Sequence, residues 1–114
     1  MRKIFILMLV CVFMLLQSVY AHPPSQIEIE YNSATKTLTA TIMHPVENPA
    51  THFIGKVNVA INGEEILGHK LSKQDDNMKQ YVSYIIPDVK AGDSISLEAY
   101  CSINGSLAKE VTVK

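Results

Sequence analysis

Tryptophan is missing from the chain altogether, and cysteine occurs only twice, at Cys11 and Cys101. That count excludes the several-bridge disulfide scaffold that staples many small extracellular domains. A Gly-rich phosphate loop, a nucleophile elbow and a His-Glu-x-x-His helix are also absent, which sets aside nucleotide, serine-hydrolase and zincin chemistry. Basic residues are not in excess, since 10 Lys and Arg stand against 11 Asp and Glu. Nucleic acid and anionic lipid, which select a concentrated positive surface, are therefore not expected as partners. After residue 22 there is no helical period, internal repeat, low-complexity tract or linker.

The first segment is the exception in character. Arg2 and Lys3 are followed by an apolar run from Ile4 to Leu16, free of charge, Gly and Pro, and then by Val19-Tyr20-Ala21. A positive start, a short apolar stretch and small residues at the inspected positions are the features of a secretory signal peptide. The run is shorter than the roughly 20 residues that span a bilayer. Residues 1–21 are thus expected to be cleaved after Ala21, and the chain to reach the periplasm or the exterior with no membrane attachment. Cleavage would remove Cys11, leaving Cys101 as the sole thiol: buried, paired with another chain or bound to a metal. Removing Arg2 and Lys3 from the 10 basic residues leaves 8 against 11 acidic, a formal charge of −3 on residues 22–114.

Residues 22–114 read as one all-β domain. Gln26 to Tyr31 alternates apolar and polar residues, and Leu38, Ala40 and Ile42 alternate with Thr37, Thr39 and Thr41, the pattern of half-buried strands. Phe53, Val57, Val59 and Ile61 continue it as far as Asn62-Gly63, a two-residue hairpin signal, after which Ile66 to Leu71 returns. Tyr81 to Ile86 and Ser94 to Ser102 follow, the latter with Ile95, Leu97, Ala99 and Cys101 on one face, and Leu107 to Val113 closes the chain after Asn104-Gly105. About seven short strands predict an immunoglobulin-like antiparallel β-sandwich. Ser72 to Lys79 reads as a polar, solvated connection, and Tyr31, Tyr81, Tyr84 and Tyr100 as strand residues packing across the sandwich.

Four histidines carry whatever chemistry the chain has: His22, His44, His52 and His69. His44 extends the inward parity of Leu38, Ala40 and Ile42 and stops its strand at Pro45, while Cys101 has inward parity near the end of its own strand. Each alone reads most simply as a core residue. Together with His52 they supply imidazole and thiolate, the ligands that suit iron, copper and zinc. His69 has no partner in the sequence and is expected to face water.

The order Thr41-Ile42-Met43-His44-Pro45, His52-Phe53-Ile54 and Ala99-Tyr100-Cys101-Ser102-Ile103-Asn104-Gly105 resembles the iron-binding domain of desulfoferrodoxin and superoxide reductase. That resemblance implies a non-haem iron held by His44, His52 and Cys101 on an immunoglobulin-like fold, reduction of superoxide, and a small redox partner. The departures are Asn104, which stands where the family's Cys-x-x-His-Gly has its histidine, and a longer loop between His44 and His52. An Asn-Gly pair is also what a type I′ turn requires, so Asn104 has a purely conformational reading. Lys56 and Lys70 are the candidate basic residues for steering an anion.

Cleavage after Ala21 would make His22 the first residue, offering an imidazole and an α-amine whose deprotonation at pH 7 costs only about 1 kcal/mol. Pro23 and Pro24 stiffen that arm. The expected metal ligands are therefore His22, His44, His52 and Cys101. Iron is the first expectation, with copper at a histidine-first site as one alternative and a metal-free immunoglobulin-like interaction module as another.

Overall fold

Strict alternation in Leu38, Ala40 and Ile42 produces a strand with one face sealed: all three are buried, and the intervening threonines are only half covered. The computed structural model describes residues 22–114 and contains seven such strands, with no helix among the described residues. They are β1 (Gln26–Asn32), β2 (Thr37–Met43), β3 (Ile54–Ile61), β4 (Glu64–Lys70), β5 (Lys79–Ile85), β6 (Ser94–Cys101) and β7 (Ser106–Thr112). The expected signal segment 1–21, its cleavage point and Cys11 lie outside the described residues.

Two antiparallel sheets form, one in the order β1-β2-β5 and the other β4-β3-β6-β7. Ile27, Leu38, Ile42 and Val82 of the first meet Ile54, Val57, Val59, Ile95 and Leu97 of the second in a single core. Each such side chain contributes roughly 1.5–3 kcal/mol on leaving water. The Tyr84 hydroxyl on β5 lies 2.7 Å from His69 Nδ1 on β4, and the Tyr31 hydroxyl donates to the Ile86 carbonyl at 2.7 Å. The first contact ties the two sheets together along one flank.

Several local expectations are corrected. Inward parity in β3 does not run back to Phe53. The register against β6 shifts between Ile54 and Lys56, so Ile54 is buried together with Val57, and the extra residue there is Gly55. A bulge of this kind moves every earlier side chain to the opposite face. His69 does not face water but is half-buried against Tyr84. Tyr31 and Tyr84 do pack against the core, whereas Tyr81 is 51% exposed. Tyr100 lies on the outward parity of β6, where its hydroxyl donates to Glu98 Oε1 at 2.7 Å. Asn62 and Gly63 both have positive φ, 51° and 84°, as a type I′ turn needs, but in Asn104-Gly105 only Gly105 does, at 88°. Asn104 is therefore not fixed by turn chemistry.

Candidate metal centre

Antiparallel pairing brings His22, His44 and His52 into one place, with Cys101 outside that group and in contact with His52 alone among the three. Gln26 at the start of β1 pairs with Met43 at the end of β2, which brings the arm carrying His22 beside His44. Ile54 at the start of β3 pairs with Cys101 at the end of β6, which brings His52 beside the thiol. Both junctions lie at the same end of the sandwich, one from each sheet, and the rings of His22, His44 and His52 meet there with centroids 4.9 to 5.4 Å apart. Their ligand nitrogens all lie within 4.8 Å of one another. Two nitrogens bound to one ion at about 2.1 Å can be at most about 4.2 Å apart. A pair at the upper end of the observed 4.8 Å has to close by about 0.6 Å to share one ion. Three histidines at this spacing can bind a metal ion.

His44 is completely buried, and its tautomer follows from its neighbours. Gln74, 1% exposed, accepts from the Ile54 backbone N–H through Oε1 at 3.1 Å and donates through Nε2 to the carbonyls of His44 and Asp76 at 2.8 and 3.0 Å. A backbone N–H can only donate and a carbonyl can only accept, so the amide orientation is fixed. The 2.8 Å contact between Gln74 Oε1 and His44 Nδ1 must then be Nδ1–H donating, which leaves the lone pair of a neutral ring on Nε2. That Nε2 faces the His22 carbonyl oxygen at 3.3 Å. This contact is partly buried, and Nε2 is the nitrogen of His44 left to ligate a metal ion once Nδ1–H is given to Gln74. The donor set thus fits a cation.

His52 is delivered by a tight turn in which the Asn48 carbonyl accepts from the Thr51 and His52 N–H groups and the Asn48 side chain accepts from the Ala50 N–H. Its Nε2 lies 3.2 Å from Cys101 Sγ. A nitrogen at about 2.05 Å and a sulfur at about 2.3 Å from one ion stand roughly 3.1 to 3.6 Å apart for angles from 90° to tetrahedral. Cys101 meets the cluster through His52, is 8% exposed, and its sulfur receives the Ile103 N–H at 3.5 Å. The His52 pKa is pushed below its usual value, chiefly by burial and then by the neighbouring rings of His44 and His22. This favours the neutral imidazole that ligates a metal.

His22 sits on an arm that is anchored rather than frayed. Pro24 is buried and the Ser25 N–H donates to the Met43 carbonyl at 2.8 Å. His22 and His52 also line a cleft of about 640 Å³ with Val46, Glu47 and Met78, which gives a small molecule access to the cluster. Lys56 and Lys70 do not line it: they pair with each other on β3 and β4, and Lys56 lies 5.7 Å over the Tyr100 ring. His69, paired with Tyr84, stays apart from the cluster.

Gln74 is the residue that sequence reasoning missed. It sits in the polar connection Ser72 to Lys79, expected to be solvated, and nothing in that composition distinguishes it from Asp75 or Asn77. Its partners, His44 and Ile54, are brought to it only by the fold, so the sequence carried no signal for it. Compared with models of protein families, with curated proteins and with solved structures, the chain matches none.

Proposed function

We propose that the chain is an exported domain binding one redox-active transition metal, in the first place non-haem iron, through His22, His44 and His52 with Cys101 as thiolate ligand. The observation that carries this reading is the meeting of His22, His44 and His52 with their ligand nitrogens within 4.8 Å of one another, the His44 ring being held by Gln74 at Nδ1 so that Nε2 is its nitrogen on the His22 side. The strand order β1-β2-β5 against β4-β3-β6-β7 supports the immunoglobulin-like part of the reading. The desulfoferrodoxin resemblance names His44, His52 and Cys101 as ligands, and the 3.2 Å contact between His52 Nε2 and Cys101 Sγ supports a shared ion.

Iron held by imidazoles and a thiolate supplies one-electron redox chemistry. The protein's own residues do the rest. Gln74 fixes the ring of His44 and its protonation, the Asn48 turn holds His52, and the Ile103 N–H bears on the sulfur that would tune the site. The cleft beside His22 and His52 leaves one side open to a small oxidant such as superoxide. Glu47 rather than a lysine lines it, so electrostatic attraction of an anion is weak and turnover is expected to be slower than a steered site would give.

Copper is the second reading, favoured by Met78, a thioether residue that lines the same cleft, and by His22, which would gain a free amine after cleavage at Ala21. Anaerobic loading of the processed protein with Fe(II), followed by oxidation, separates the two. Iron at this site gives a thiolate-to-ferric charge-transfer band that disappears in Cys101→Ser, together with measurable superoxide consumption. Tight copper uptake unaffected by Cys101→Ser would replace iron with the copper reading.

A further inference from the structure

The arm that carries His22 has to be held against the cluster, and the chain meets it with an atom missing. Gly105 lies in the loop after β6 whose first residues bracket Cys101: the Cys101 N–H donates to the Gly105 carbonyl at 2.9 Å and the Ile103 N–H reaches Cys101 Sγ at 3.5 Å. A Cβ at Gly105 would stand 3.0 Å from Pro23 Cβ and 3.2 Å from both the Cα and the N of Pro23. Two of those three atoms are backbone, so relief requires the arm itself to move. Pro23 follows His22 directly, and Pro24 beyond it is buried. The His22 carbonyl lies against His44 Nε2. A shift of Pro23 is therefore a shift of His22.

Building on the metal-binding reading above, we propose that Gly105 is a positioning residue of the site, the seat on which the Pro23 backbone rests so that His22 closes over His44 and His52. One loop thereby couples the two halves of the centre, presenting Cys101 from β6 and receiving the arm from β1. The departure of Asn104-Gly105 from a type I′ turn accords with this. The glycine is needed for its bare α-carbon against Pro23 as well as for its positive φ.

The protein contains its own control. Gly92 has φ of 90° against 88° for Gly105, yet a Cβ at Gly92 meets nothing within 4 Å. Gly92→Ala carries the same backbone strain without the contact. The experiment titrates processed wild type, Gly105→Ala and Gly92→Ala with Co(II) alone, read by its visible ligand-field bands. Gly105→Ala is expected to bind Co(II) 10- to 100-fold more weakly, the usual effect of disturbing a residue that orients a ligand, and Gly92→Ala within about twofold of wild type. In a His22→Ala background the Gly105 substitution should have no further effect, because its action passes through His22. Equal Co(II) affinity in Gly105→Ala and wild type would overturn the proposal, as would a loss of affinity that persists without His22. If Gly105→Ala does not fold, Gly105→Asn, which tolerates positive φ better and presents the same Cβ, replaces it with Gly92→Asn as control. Should wild type take up no Co(II), the metal reading fails, and the seat is judged from the His22 ring resonances by NMR. Movement to free-histidine shifts in Gly105→Ala but not in Gly92→Ala sustains it, and unchanged shifts refute it.

Discussion

Replacing Gln74 by leucine is the substitution that most fully exposes the logic of the centre. Leucine fits the space but removes every hydrogen bond that the amide makes. The Ile54 N–H, the His44 carbonyl and the His44 Nδ1–H lose buried partners at 3.1, 2.8 and 2.8 Å; the Asp76 carbonyl, half-buried, can turn to water. An unpaired buried polar group costs about 1–3 kcal/mol. At the low end of that range the three together remove about 3 kcal/mol, a large share of the roughly 5–15 kcal/mol that holds a domain folded. The same change frees the His44 ring to rotate and to exchange tautomers, so metal affinity should fall 10- to 100-fold. Urea unfolding of the metal-free protein, followed by circular dichroism, measures the first effect, and Co(II) titration measures the second. Gln74→Glu is the informative companion, because a carboxylate still accepts from Ile54 and His44 but cannot donate to the His44 carbonyl. It should keep more of the metal affinity than of the stability. A Gln74→Leu protein within about 1 kcal/mol of wild type and with unchanged affinity would refute the assignment of tautomer and of role.

Other perturbations read different parts of the structure. Cys101→Ser places a hydroxyl at a buried position where His52 Nε2 and the Ile103 N–H offer hydrogen-bond partners, so it should change urea stability by only about 1 kcal/mol, while removing the sulfur charge-transfer band expected of the iron-loaded protein. Tyr84→Phe removes the contact to His69 and should cost about 1 kcal/mol in the same assay. Burial raises the Tyr84 pKa to about 12 from 10. Its contribution is therefore complete below pH 10 and lost as pH rises from 10 toward 12, and Tyr84→Phe should flatten that alkaline limb of the stability curve. Asp93 behaves in the opposite sense. Its carboxylate accepts from Asn62 Nδ2 and the Lys90 N–H, which hold its pKa below the usual value. Its stabilisation is present above the unfolded value near pH 4 and lost as pH falls through the lower folded pKa, so Asp93→Asn should make acid unfolding less steep below about pH 4.

Period-two alternation carried most of the sandwich, because in β2 and β6 every inward position is apolar and every outward one except Met43 and Tyr100 is Ser, Thr or Glu. His44 and Cys101 were legible for the same reason, each inheriting the parity of its strand. Where alternation failed, the cause was a backbone event without a compositional mark. The bulge beside Gly55 exchanged Phe53 for Ile54 in the core, and the second Asn-Gly pair adopted a different turn. Gln74 was invisible because its function rests on partners 20 and 30 residues away. His69 was misread as solvated because Tyr84 meets it across the flank of two sheets, a contact that follows from strand order and not from either strand's own residues.

The central claim is that His22, His44 and His52 form one metal site, and metal content per chain measures it most directly. Processed protein, purified without an N-terminal tag and with its first residue fixed by mass spectrometry, should carry or take up about one transition-metal ion per chain. Each of His22→Ala, His44→Ala and His52→Ala should lower that uptake, while His69→Ala should not. A protein that takes up no metal, or whose bound ion survives all three substitutions, would contradict the account.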